Sequence, residues 1–337
     1  MRILVTGATG LIGCHAVARL VEAGHAVRAL VRDASRLGPA LAPLGVAEQD
    51  VEPVSGDLAD PASLAAAAKG CEGLLHCAGL FSPDRDAEAR LQAINVEGTR
   101  HVLAAGVESG LEQIVHVSSM LALFPPAGPR IGADDPVARP RSMYAATKAA
   151  AERVARSFQE RAPITIVYPT AVQGPEDPTF SVGPQLVANA LVDGRVLVTD
   201  GGLAYSDVRD VAETLVAVFA GATRATRLMA PSFFVTHARY RELLEELTGR
   251  PLEARRVPGW LLRAMGRVGD LAQRLGRDVQ LTWEAADILT RSVPVDDREA
   301  RRMLGREAIT PERSFEDLIR WMVETGRLPT EKAGKLA

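Results

Sequence analysis

Tyr144 and Lys148 are the two side chains whose types and spacing point most directly to chemistry. Lysine is scarce, occurring only at 69, 148, 332 and 335, and Tyr144 is one of four tyrosines. Residues i and i+4 share a helix face, so an ammonium at 148 can reach the surroundings of a phenol at 144. A nearby positive charge favours the phenolate and lowers a tyrosine pKa from about 10. The pair therefore predicts proton transfer at neutral pH with Tyr144 as acid or base. A compact ammonium can also touch a phenol and a sugar hydroxyl together, which the rigid fork of arginine does less well. Ser118 and Ser119 end an apolar run at 113–117. A hydroxyl there can donate to a carbonyl oxygen as negative charge develops, and Ser119 is favoured over Ser118.

The second constellation is Thr6-Gly7-Ala8-Thr9-Gly10-Leu11-Ile12-Gly13, which joins an apolar strand to a helix. Glycines at this spacing allow a tight turn, close approach to a pyrophosphate and tight helix–strand packing. The helix start adds free N–H groups and a positive dipole end. Thr6, Gly7, Thr9, Gly10, Leu11, Ile12 and Gly13 are thus candidate dinucleotide-binding residues. An acidic residue at the end of the second strand would bond the ribose 2′-hydroxyl of NAD. Val31 stands there, followed by Arg32, with Arg28 and Arg36 close by. Guanidinium groups pair well with a 2′-phosphate, so NADP(H) is favoured and NAD(H) stays open, since Asp33 beside Arg32 also suits a solvated loop. Asp57 in Gly-Asp-Leu can accept from an adenine amino group with Leu58 on the ring, or cap a turn, although Asp60 is the better cap before Pro61. Cys77, Ala78 and Gly79 are small enough to leave room for the cofactor, and His76 reads as a packed strand residue. Asn95, followed by Gly98, is unfavourable inside a helix, which suggests a packing or hydrogen-bonding role beside the cofactor.

These residues need an element order that brings them together. Apolar runs at 2–6, 26–31, 51–54, 73–77, 113–117 and 164–168 read as strands. Helices are expected at 11–23, from Pro61 to Lys69, at 86–109 and at 141–161. Strands alternating with helices predict an α/β, Rossmann-like, doubly wound parallel sheet whose ligands bind at the carboxyl ends of the strands. Residues 1–168 are read as the dinucleotide-binding domain, with some later segments returning to it. Residues 169–328 are read as a smaller, mostly helical substrate lobe, with helices at 207–221, 237–248, 258–276, 281–291 and 312–325. Residues 329–337 are read as a flexible tail. In 259–276, Leu261, Met265, Val268, Leu271 and Leu275 form one stripe and Arg263, Arg267 and Arg274 another. That pattern reads as an ordinary lobe helix, with membrane-surface association as the weaker alternative.

Composition narrows the function classes. The 337 residues carry a formal net charge of −3 and only 4% aromatics, which argues against nucleic acid as a partner. Cys14, Cys71 and Cys77 form neither a disulfide framework nor a paired metal motif, so no metal is expected and a reducing cytoplasm fits. There is no signal-peptide pattern and no run of 18 apolar residues, so no membrane span is expected.

Thr6 to Gly13, Ser119, Tyr144-Ala-Ala-Thr-Lys148, Pro169-Thr-Ala-Val-Gln-Gly-Pro175 and Asp207-Val-Arg-Asp-Val-Ala212 together resemble the extended short-chain dehydrogenase/reductase family over nearly the whole chain. Within it the chain looks most like the dihydroflavonol 4-reductase and 3β-hydroxysteroid dehydrogenase branch. The pointers are the Arg after the second strand and the Val-Pro-Val-Asp-Asp…Leu304-Gly305 segment. The resemblance implies hydride transfer between a nicotinamide cofactor and a carbonyl or secondary alcohol, with Pro169, Ala171 and Val172 added to the cofactor site. It also implies a homodimer through the helices 86–109 and 141–161. Nucleotide-sugar relatives commonly carry an Arg where Leu203 stands, which weakens that substrate class. Loops over the nicotinamide supply the candidate substrate contacts Phe81, Met120, Phe124, Met143, Gln173, Phe180 and Tyr205, whose apolar bias suggests a hydrophobic carbonyl. Two alternatives stand beside this: a nucleotide-sugar epimerase or dehydratase, and a non-catalytic NADP(H) sensor, which the intact Tyr144–Lys148 pair disfavours.

Overall fold

The structure, a computed structural model, describes every residue except Pro83, Asp84, Gly276, Asp278 and Gln280, and only the backbone of Arg85 and Arg274. The six apolar runs form β1 (Arg2–Thr6), β2 (Ala26–Val31), β3 (Val51–Ser55), β4 (Gly73–His76), β5 (Gln113–Val117) and β6 (Ile164–Tyr168). Then follow β7 (Ala171–Gln173), β8 (Arg195–Val198), β9 (Gly202–Asp207), β10 (Arg227–Met229), β11 (Phe233–Thr236) and β12 (Glu253–Arg256). The main sheet is parallel, in the order β10-β6-β5-β4-β1-β2-β3. The winding reverses between β1 and β4, which opens a crevice at their carboxyl ends. The loop 7–10 leaves β1 on one side of it and residues 77–79 leave β4 on the other.

Both faces of the sheet are covered, which is why Ile3, Val5, Leu75 and Ile114 are fully buried. Helices Leu11–Glu22 and Val208–Phe219 pack together over one face. Helices Pro61–Ala68, Gly98–Glu108 and Met143–Gln159 cover the other. Asp60 caps Pro61–Ala68 by accepting from Ala62 N at 3.0 Å. The helix expected at 86–109 forms, but its middle is wider than an α-helix: Gln92–Glu97 is π-helical between Glu88–Leu91 and Gly98–Glu108. The locally unfavourable Asn95 and Gly98 explain it. Asn95 uses its side chain outside the helix, and a Cβ on Gly98 would lie 3.1 Å from Leu58 Cβ.

The second lobe has its own core of helices Val182–Asp193, His237–Thr248 and Pro311–Glu324 around Tyr240, Phe315 and Trp321. It also holds the sheet β11-β9-β7 and the pair β12-β8, beyond the helices expected. The tail differs from expectation. Thr330–Ala333 is helical, Ala333 and Leu336 are buried in this core, and Lys332 Nζ donates to Val192 O at 2.9 Å. The stripe on 259–276 differs too, although Gly276 and the Arg274 side chain lie outside the described residues. Helix Gly259–Arg274 turns Leu262, Gly266 and Gly269 inward, and its other large apolar side chains, Trp260, Leu261, Met265, Val268 and Leu271, face outward. No helix among the described residues is long and apolar enough to cross a membrane.

Candidate active site

A cleft of about 530 Å³ fills the crevice, lined among others by Thr6, Gly7, Thr9, Gly10, Arg32, Arg36, Asp57, Leu58 and residues 77–79. Its floor is backbone. Gly7 has φ +78°, and a Cβ there would lie 2.6 Å from Ala78 N, while one on Gly13 would lie 2.0 Å from Gly7 O. Gly10 differs: a Cβ would meet nothing nearer than Gly7 O at 3.5 Å and would stand toward the cleft. Gly10 also starts the twelve-residue helix without a side-chain cap, leaving the amides of the first turn for an anion.

Arg32 and Arg36 stand exposed at the rim, and among the described residues neither has an ion pair. The Asp33 carboxylate, the obvious competitor, accepts from Ser35 N at 3.0 Å and Ser35 Oγ at 2.6 Å, which holds its pKa below the usual range. Arg28 is committed elsewhere, donating to Ala67 O and Lys69 O and pairing with Glu52 at 2.9 Å. Asp57 lines the cleft and also takes the turn role, one oxygen accepting from Ala59 N at 2.9 Å. The glycine floor, the uncapped helix start and the unpaired guanidiniums fit an elongated, multiply anionic dinucleotide.

Asn95 differs from the expected cofactor ligand. It is buried, accepts from Leu80 N at 2.7 Å, and donates to Leu80 O at 2.9 Å and Thr147 Oγ1 at 3.1 Å. It thus clamps the cleft wall at Leu80 to the helix carrying Tyr144 and Lys148. Thr6 is likewise spent: its hydroxyl meets His76 Nδ1 at 2.7 Å. Thr99 Oγ1 donates to Asn95 O, so it accepts from His76 Nε2, and burial pushes His76 down to about 3, keeping it neutral.

Tyr144 sits in the first turn of helix Met143–Gln159, with the Phe81 ring edge-on at 4.8 Å. Burial pushes its phenol up to about 12, and Lys148 is not among the causes of that shift. The expected lowering by Lys148 is therefore absent. The ammonium acts instead on His76, His116 and Cys77, at the carboxyl end of β4 and its neighbour, and burial brings Lys148 itself down to about 8. Glu152, one turn further on, is fully buried and raises Lys148 against that burial. Its carboxylate accepts from Ser118 Oγ at 2.7 Å, Tyr168 OH at 2.5 Å and Arg156 Nε at 2.7 Å. Ser118 is thereby occupied. Ser119 is half-buried and its Oγ only accepts, from Leu121 N at 3.2 Å, which leaves its proton free.

Of the seven candidate substrate contacts, Phe81, half exposed, and Met143 adjoin Tyr144, and Met120 follows Ser119. The others lie elsewhere. Phe124 is buried in the main core. Gln173 is buried and donates to Ser314 Oγ at 3.2 Å. Tyr205 stacks among Phe233, Tyr240 and Phe315, and Phe180 lies against Trp321. Large apolar residues after a strand end simply found a core. Pro169 is buried and accepts from Met120 N at 2.9 Å, Ala171 is exposed and Val172 half-buried on β7, and Leu11 and Ile12 open the first helix. Glu152 was missed, although its position four residues after Lys148 was a readable signal. Glu284 was also missed: it accepts from Arg141 N, Ser142 N and Ser142 Oγ at the start of the Tyr144 helix, and no local pattern marks it.

The model of the NAD dependent epimerase/dehydratase family matches residues 3–226. The chain is 29% identical to "Sterol demethylase protein B" of Methylococcus capsulatus over 97% of this chain and 100% of that protein. It is 30% identical to "Putative dihydroflavonol 4-reductase" of Synechocystis over 97% and 96%. The crystal structure of gox2253 superposes with a TM-score of 0.79 at 27% identity, covering 97% of this chain and 99% of that one. The parallel sheet, the glycine cradle and these matches lead to one conclusion: the chain belongs to the NAD dependent epimerase/dehydratase family, as an NAD(P)-dependent oxidoreductase of the extended short-chain dehydrogenase/reductase type.

Proposed function

We propose that the protein reduces the carbonyl of a small apolar substrate with NADP(H). The observation that carries this reading is the Asn95 clamp, which fixes the Tyr144–Lys148 face against the end of the cleft at Leu80. A dinucleotide held in the glycine-lined cleft would supply hydride to the carbonyl carbon. Tyr144, protonated at neutral pH because burial holds its pKa near 12, gives its proton to the carbonyl oxygen. Ser119, whose hydroxyl proton is free, donates a hydrogen bond to that oxygen and orients it. Lys148, one turn further along the same helix face, holds the cofactor sugar. The apolar surroundings of Tyr144, Phe81 and Met143, favour an apolar substrate, as do relatives named for a sterol and a dihydroflavonol. The preference for NADP(H) rests on Arg32 and Arg36 at the rim and on an Asp33 turned away into its own turn.

The test is absorbance of NADPH and NADH with purified protein against a panel of apolar ketones and aldehydes. Consumption of NADPH over NADH that Arg32→Ala equalises supports the reading. Cofactor binding without net consumption on any carbonyl overturns it in favour of internally returned hydride, as in epimerases.

A further inference from the structure

Helix Gly259–Arg274 is built with its faces exchanged. The side toward the protein is Leu262, Gly266 and Gly269, so close to the next segment that a Cβ on Gly269 would lie 1.9 Å from Leu281 O. The side toward solvent carries Trp260 (68% exposed), Met265 (47%), Val268 (68%) and Leu271 (57%), continued by Leu275 (74%). Glycines let the helix lie flat on its neighbour, and the large apolar residues are left to something outside the chain. Along one flank run Arg263 and Arg267, and a notch between this helix and Trp283–Thr290 is lined by Trp260, Arg263, Arg267, Trp283, Asp287 and Arg291. Asp287 is paired with Arg291 at 2.7 Å and Arg263 donates to Thr290 Oγ1 at 2.6 Å, while Arg267, and Arg255 and Arg256 at the end of the strand that leads into the helix, have no ion pair among the described residues. The surface is thus an apolar ridge bordered by arginines, with Arg267 free of any ion pair among the described residues, in a chain whose net charge is −3.

We propose that this face docks on an anionic lipid bilayer, the ridge seated at the level of the upper acyl chains and the arginines on lipid phosphates. Charge complementarity selects the occupant. A two-fold contact with a second copy sets the same patch against itself, so its arginines would meet a patch whose acidic groups are already engaged: Asp287 with Arg291, and Asp270 capping Trp283 N at 3.2 Å. The docked face is also mechanically connected to the site. Trp283 begins the partner helix, the Arg141 guanidinium lies 5.6 Å over its ring, and Glu284 beside it holds Ser142, two residues before Tyr144. A lipid-dissolved substrate would therefore approach from the side of the molecule that carries the first turn of the Tyr144 helix.

The test is co-sedimentation of the full chain with vesicles of phosphatidylcholine alone or with added phosphatidylglycerol, at low and high salt, requiring no turnover. Binding is expected only to the anionic vesicles and should weaken with salt. Arg267→Gln should reduce it roughly fivefold. Val268→Asp with Leu271→Asp should reduce it at least about tenfold without lowering Tm, since both side chains are exposed. No binding by the unaltered chain overturns the proposal. So does a homodimer in light scattering that the same double substitution dissociates. Failure of either kind leaves the reductase reading untouched, because carbonyl turnover is measured without vesicles.

Discussion

Glu284 and Ser142 join the two lobes at the residue pair that opens the Tyr144 helix: Ser142 N reaches one carboxylate oxygen at 2.9 Å and Ser142 Oγ the other at 2.8 Å. Ser142 is the N-cap of that helix and makes no side-chain cap of its own, so a carboxylate from the second lobe takes the place beside the helix start. The start of the helix is therefore defined from a distance of more than a hundred residues along the chain.

That relationship makes Glu284 a positioning residue. Glu284→Ala leaves the amides of Arg141 and Ser142 without an acceptor, and stability should fall by about 1–3 kcal/mol. Turnover should fall more than cofactor affinity, because Tyr144 is moved and the glycine cradle is not. Glu284→Gln, which keeps an acceptor, should recover part of the turnover. Equal loss of turnover and cofactor affinity in both variants, by fluorescence titration and initial rates, would refute the positioning role.

The glycine cradle separates fold from binding. At Gly7 the left-handed φ and the 2.6 Å approach of Ala78 N make Gly7→Ala costly to the fold, by about 1–3 kcal/mol. At Gly10 the backbone is ordinary, with φ −102°, and the nearest atom to a Cβ is 3.5 Å away. Gly10→Ala should leave the folding stability within about 1 kcal/mol of the parent and weaken dinucleotide binding by about tenfold or more, since its methyl occupies the cleft. A Gly10→Ala protein that binds NADPH normally would remove the pyrophosphate from this helix start.

What was legible in the sequence, and what was not, follows from the range of each interaction. The parallel strands, the Asp60 cap and the glycine turn are local in their causes, and each stands where its residues suggested. The choice of Ser119 over Ser118 has a reason visible only in three dimensions, because Glu152 occupies Ser118. Asn95 was recognisable as an anomaly but not as a clamp on Leu80, fifteen residues away. Phe124, Gln173 and Tyr205 were misread because an apolar or amide side chain after a strand looks the same whether it faces a substrate or a core. Helix Gly259–Arg274 was misread because its inward face is chosen by two glycines, and hydrophobic periodicity counts them as gaps.

Tyr144→Phe removes one oxygen from a half-buried ring whose packing partner is Phe81. The fold and dinucleotide affinity should persist, and carbonyl reduction should fall by about 10²–10⁴. Ser119→Ala should raise KM and lower kcat by a smaller factor, since it removes orientation and leaves the proton donor. Full activity in Tyr144→Phe, in the NADPH assay, would eliminate the proposed acid.

Lys148 gives the reaction and the fold opposite responses to pH. Burial lowers its pKa from 10.5 to about 8, so the ammonium that holds the cofactor sugar is lost as pH rises through about 8, and reduction should decline there. Glu152 works against the burial, so Glu152→Gln should move that decline to lower pH. For the fold, the unfolded chain holds the extra proton between about 8 and 10.5, so this residue makes stability rise with pH across that window. Below about 8 both states are protonated and the folded state carries the full cost of the buried charge, about 3 kcal/mol from the separation of the two pKa values. Lys148→Met should therefore be inactive yet more stable than the parent at pH 7, with the advantage shrinking toward pH 10. Thermal melts of both proteins at the two pH values decide it: a stability difference that does not change with pH means that Lys148 is not the buried ammonium described.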